Sequence, residues 1–97
     1  MPVSDEDLRG RTVIAADGQA IGEVASLSID TAAWTIVALE VKLSKLAAEQ
    51  LGASRGLLRA ATIELPVRVV QSVKDAVLLS LPTQELRQHL PDAAEKA

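Results

Sequence analysis

The 97-residue chain carries 10 Lys or Arg against 13 Asp or Glu, a formal net charge of −3, with 48% hydrophobic and 24% charged residues; this fits one compact globular domain and not a disordered chain. Cysteine is absent, which excludes disulfides, thiolate metal sites and cysteine chemistry. The acidic balance disfavours broad nucleic-acid binding, which needs clustered Lys and Arg. Trp34 is the only aromatic residue, so the core has to be built from Val, Ile, Leu and Ala, and stacking platforms for single strands are lacking.

Residues 1–8 form a polar lead-in with Asp5, Glu6 and Asp7 before Leu8, compatible with a helical turn or an irregular arm. Residues 12–15 read as a short strand. Asp17-Gly18 follows as a tight hairpin turn, since Gly accepts the positive φ such a loop needs. The return strand is expected over 20–30. Ala25, Leu27 and Ile29 alternate there with Ser26, Ser28 and Asp30, placing one side inward. Glu23 and Val24 break that alternation, and a bulge near Gly22 repairs it while adding twist.

A turn over 30–33 leads to a third strand over 34–42. Val37, Leu39 and Val41 share one face; Ile36 and Ala38 make the other face mostly apolar as well. A strand apolar on both sides calls for cover on both sides. Leu43, Leu46, Ala47 and Leu51 then fall at helical spacing, with Gly52 as the stop, giving a short helix over 44–51. A fourth strand is expected over 57–66, ended by Pro66. Val67, Val70 and Val73 recur every third residue, the spacing of a single 3₁₀ or α turn across a barrel opening. Lys74-Asp75 is a turn, residues 76–81 the last strand, and Thr83 caps a C-terminal helix whose apolar edge is Leu86 and Leu90, stopped by Pro91. The expected fold is mainly β: a small barrel of about five to six antiparallel strands, with a short helix after strand 3 and a C-terminal helix. The domain spans 8–90, between flexible termini at 1–7 and 91–97.

The residues that can carry chemistry read as structural. His89 is the only histidine and sits near a helix C-terminus, where it suits the dipole; without cysteine it completes no ordinary zinc site. Asp5, Glu6 and Asp7 read as a solvated arm. The segment Asp17-Gly18-Gln19-Ala20-Ile21-Gly22 lacks the lysine and following helix of a phosphate cradle. Ser26 and Ser28 are strand residues outside any nucleophile elbow. Arg55, Arg59, Arg68 and Lys74 lend the middle of the chain local positive charge. No catalytic, cofactor-binding or metal-binding residue is assigned, and no cofactor is expected. Trp34 is the residue of most interest, because Trp is enriched at binding hot spots; core packing or turn cover is the competing role.

The ordered series Leu8-Arg9-Gly10-Arg11-Thr12-Val13, Asp17-Gly18, Ile21-Gly22-Glu23-Val24, Leu27-Ser28-Ile29-Asp30, Ile63-Glu64-Leu65-Pro66 and Asp75-Ala76-Val77-Leu78-Leu79 resembles the PRC-barrel family over residues 8–81. The family includes the cytoplasmic domain of the photosynthetic reaction-centre H subunit, a domain of a bacterial ribosome-maturation factor, and stand-alone prokaryotic proteins. Trp34 departs from the pattern, which favours glycine or a small polar residue at that turn, and the 44–56 insert is longer than in the minimal domain. The resemblance implies a non-catalytic assembly role, with some archaeal members linked to cell division.

The expected function is therefore a homodimeric adaptor, with Trp34, Ile36, Ala38 and Leu46 as candidate interface. Expected partners are a second copy of the chain and another protein. The alternative is a ribosome- or RNA-associated factor. No stretch approaches the ~18 apolar residues of a spanning helix, and the acidic lead is unlike a secretory signal, so a cytoplasmic protein without membrane insertion is expected.

Overall fold

The computed structural model describes residues 3–51 and 62–89. Helix α1 (Asp5–Leu8) resolves the N-terminal lead as helical: Ser4 caps it by accepting from the Asp7 N–H, and Arg9 pairs with Asp5 at 3.2 Å. Strands β1 (Thr12–Ile14) and β2 (Ala20–Asp30) form the first hairpin, turning at Gly18 with φ +89°. Strand β3 (Thr35–Leu43) leads into helix α2 (Lys45–Gln50), whose N-cap Ser44 accepts from the Ala47 N–H. Strand β4 (Thr62–Pro66), a 3₁₀ turn (Val67–Val69), β5 (Val70–Val73) and β6 (Val77–Leu79) follow.

The six strands form one sheet in the order β4-β3-β2-β1-β6-β5. Two features correct the expected all-antiparallel barrel. β1 and β6 run parallel, pairing Val13 with Val77 and Ile14 with Leu78, so the sheet is mixed. The sheet is also not closed by a ladder between β4 and β5. These edge strands are nonetheless consecutive in the chain, and Pro66 to Val70 spans at most about 14 Å. The sheet therefore curls until its edges approach at that corner, where the proline-led 3₁₀ turn bridges them. The C-terminal segment Thr83–His89 is a 3₁₀ helix rather than an α-helix, and Thr83 serves as a buried tie instead of a cap.

Among the described residues the core is made of Leu, Val, Ile and Ala alone, centred on the buried Val13, Ile21, Val41, Ile63, Leu65, Val77 and Leu86. Bulges decide which residues reach it. In the β1–β2 ladder Ile14 pairs with Ala20 and Val13 with Gly22, leaving Ile21 as the extra residue. In the β2–β3 ladder Val24 pairs with Val41 and Ser26 with Glu40, leaving Ala25 extra. Ile21, Val24 and Leu27, spaced three apart, thus all contribute to the core, whereas Ala25 is exposed instead of inward.

The expected bulge near Gly22 is present, and Gly22 has a second function. A Cβ added there would lie 2.1 Å from the Lys42 carbonyl oxygen. The close approach of β2 to β3 at this point admits only glycine.

Candidate protein interface

Strands β2 and β3 extend past their neighbours. β1 pairs with β2 only over Ala20–Glu23, and the last β3–β4 pair is Ala38 with Pro66. Beyond these, Ile29 pairs with Ile36 and Asp30 with Thr35, with only each other as ladder partners. Val37 is the extra residue of a further bulge at this end. Asp30 builds the loop: its carboxylate accepts from the Ala32 N–H at 2.9 Å and the Ala33 N–H at 3.4 Å, and its carbonyl accepts from the Trp34 N–H at 2.6 Å. The short acidic side chain organises the turn in the manner favoured for Asp.

The loop closes on a residue in the left-handed region, and that residue is Trp34, at φ 57°. Glycine or asparagine is the usual occupant, because a Cβ is strained there. Trp34 is also 77% exposed, so it is neither core nor turn cover. Ile29, Ile36 and Val37 are exposed on the same hairpin end. Beside them, Val3, Leu27, Ile29 and Ile36 line a shallow depression of about 400 Å³, with Asp5 and Arg9 at its rim.

The four candidate residues do not form one patch. Trp34 and Ile36 are adjacent on the hairpin end. Ala38, only 6% exposed, offers almost no surface. Leu46 is 61% exposed but lies on α2, past the far end of β3. Nine strand residues at roughly 3.3 Å each put about 30 Å between the two ends. Ile29 and Val37 also belong to the patch: alternation places Ile29 on the inward side and Val37 on one of two apolar faces of its strand, and both are exposed where β2 and β3 overhang β1 and β4.

A polar site occupies another part of the surface. Thr83 is the one buried polar residue among those described; its hydroxyl donates to Asp17 Oδ1 at 3.0 Å, with Gln19 Oε1 a second acceptor at 3.4 Å. Gln19 in turn donates to Gln50. These residues line a pocket of about 570 Å³ with Arg87 at its margin. Desolvation pushes the Asp17 carboxyl up, but hydrogen bonds from the Thr83 hydroxyl and from the Thr83, Gln19 and Asp17 amides outweigh it, and the net shift is downward. A lowered folded-state value stabilises the fold above the ordinary carboxylate range, and that contribution is lost as pH falls through the folded value. Thr83→Val removes the strongest of these donors, so it is expected to lower the melting temperature at neutral pH and to flatten the acid side of the stability–pH curve. Thermal melts across the acid range check this; an unchanged acid limb would show that the tie does not hold Asp17.

The other singled-out residues are spread over the fold where described. The acidic cluster Asp5, Glu6 and Asp7 forms the first turn of α1, where negative charge complements the helix dipole. Ser26 and Ser28 donate to Glu40 and Glu64. Arg68 and Lys74 are exposed, on the 3₁₀ turn and after β5. Arg55 and Arg59 lie outside the described residues, as do Gly52 and Leu90 and the first five residues of the expected strand over 57–66; His89 is described only as the end of the last helix. Among the described residues no group of three or more His, Cys, Asp or Glu is placed to hold a metal ion, and no helix is long and apolar enough to cross a membrane.

No curated protein matches the chain. The sequence pattern of the PRC-barrel domain matches residues 3–86, the span that holds every strand and both α-helices described above. The chain belongs to the PRC-barrel domain family.

Proposed function

We propose that this PRC-barrel protein is a non-catalytic interaction module that assembles as a homodimer through the end of the β2–β3 hairpin and serves as an adaptor for another protein. The observation that carries this reading is Trp34. A large apolar side chain is kept, exposed, at a backbone position that strains it by about 1–2 kcal/mol. Strain of this kind persists where a function uses it. Ile29, Ile36 and Val37 surround it with further exposed apolar surface, and an aromatic anchor with aliphatic neighbours is the composition of an interface centre. A small domain gains from such a contact, because its own core buries only a modest share of its surface. Twofold assembly through one hairpin end is self-complementary, as a closed dimer requires.

Ile36→Asp places a charge in that centre. It is expected to weaken self-association about 30-fold or more, the effect of losing a hot-spot contact of about 2 kcal/mol, while the fold persists because Ile36 is 40% exposed in the monomer. Sedimentation velocity over a dilution series measures it. A variant that self-associates as strongly as the wild type would remove Ile36 from the interface.

A further inference from the structure

The hairpin end carries a knob and, beside it, a hole. The knob is Trp34, the only aromatic residue of the chain, 77% exposed in the loop between β2 and β3. The hole is the depression of about 400 Å³ between the N-terminal lead and β2. Leu27 belongs to its lining and packs against the core, yet is only partly covered. Val3, Ile29 and Ile36, the other apolar lining residues, are all exposed. Trp34 is not part of that lining, so within one molecule the knob does not fill the hole. The polar atoms around the hole suit an indole. Trp offers one donor, its Nε1–H, and no acceptor. Asp5 and Ser26 bring acceptors to the depression: Asp5 Oδ2 takes the Arg9 guanidinium at 3.2 Å, which leaves Oδ1, and Ser26 has its hydroxyl oxygen.

We propose that this depression is the receiving site for Trp34 of the partner subunit, so that two copies of the chain exchange their indoles reciprocally. The inference rests on the proposed hairpin-end dimer and adds the surface that takes its anchor. A second copy is the occupant that answers both features at once. A foreign segment would have to fill the hole and also cover the knob next to it, whereas a twofold axis between knob and hole sets each against its complement on the other copy. The area points the same way. One buried aromatic side chain removes roughly 150–250 Å² of its own surface. Two exchanged indoles, with the surface they cover, account for roughly 600–1,000 Å², close to the threshold of about 1,000 Å² for a specific contact. A single insertion supplies only half of this, so the exchange has to be reciprocal. Insertion also completes the cover of Leu27, which the monomer leaves half-buried.

The test mixes two defective variants of the full chain. Trp34→Gly lacks the knob and keeps the hole; Ile36→Asp keeps the knob and has a charge in the hole. Reciprocal exchange predicts that the mixture recovers one of the two insertions, with Trp34 of the Ile36→Asp chain seated in the intact hole of the Trp34→Gly chain. The heterodimer is expected to form at least about tenfold more tightly than either variant self-associates. With one aromatic residue in the chain, Trp34→Gly has no tryptophan emission. Its titration into Ile36→Asp should therefore move the indole emission to shorter wavelength, as concentrating the wild type does. Val3→Asp, at an exposed lining residue distant in sequence from the hairpin, is expected to behave as Ile36→Asp does, alone and in the mixture. A wild-type dimer with no recovery in either mixture would overturn the exchange and leave the hairpin-end dimer standing, with Trp34 packed elsewhere across the axis. A wild type that stays monomeric, its emission independent of concentration, would overturn both.

Discussion

Replacing Gly22 with alanine is expected to lower stability by about 3 kcal/mol. The new Cβ would lie 2.1 Å from the Lys42 carbonyl oxygen and 2.9 Å from the Leu43 Cα. Both obstacles are backbone, so no rotamer change relieves them, and the cost lies at or above the upper end of ordinary overpacking. Gly22 is also held from both sides, paired with Val13 on β1 and Leu43 on β3. Moving β2 away from β3 would open the core around Ile21 and Val41, both fully buried. A loss of about 3 kcal/mol is a large part of the 5–15 kcal/mol that holds a typical domain, and it should lower the melting temperature by more than about 10 °C. Urea denaturation of both proteins measures it. A Gly22→Ala midpoint within error of the wild type would mean that β2 and β3 do not meet in this register.

Trp34→Gly has two effects of opposite sign. In the monomer it relieves a positive φ of 57°, which costs a residue with a Cβ about 1–2 kcal/mol. Part of that gain is returned to the freer unfolded chain, so a net stabilisation of about 0.5–1 kcal/mol is expected. In the assembly it removes the aromatic anchor, and self-association should weaken about 30-fold or more. Because a dimer adds apparent stability by mass action, the gain is read by denaturation at concentrations where the variant and the wild type are both monomeric. A purely structural Trp would give the reverse pattern, with lower stability and unchanged association. Trp34→Asn serves as a second variant, since Asn tolerates the left-handed region.

The parts of this fold legible in the sequence are those with local causes. The Asp17-Gly18 turn and the alternation that follows fix β2 at its observed limits, and Ser44 with the apolar spacing after it fixes α2. Local patterns also mislead where a bulge intervenes. Val67, Val70 and Val73 share the spacing of a helical turn, and residues 67–69 do form one. Val70 and Val73, however, lie on β5 opposite Leu79 and Val77, with an irregularity between Val70 and Ser72 that turns a spacing of two into three. The same physics in β2 brings Val24 inward and turns Ala25 out. What has no local signature is contact between distant segments: the parallel β1–β6 pairing, and the hydrogen bond from Thr83 to Asp17 across 66 residues. Of the candidate interface, Trp34 and Ile36 are readable as apolar residues at and beside a turn. That Leu46 lies apart from them follows only from the nine-residue β3 standing between the two.

Sedimentation equilibrium of the wild type, Trp34→Gly and Ile36→Asp over a common concentration range tests the assembly reading most directly. The hairpin-end interface predicts a dimer for the wild type and folded monomers for both variants. The same molecular mass for all three proteins, whether monomer or dimer, would contradict it.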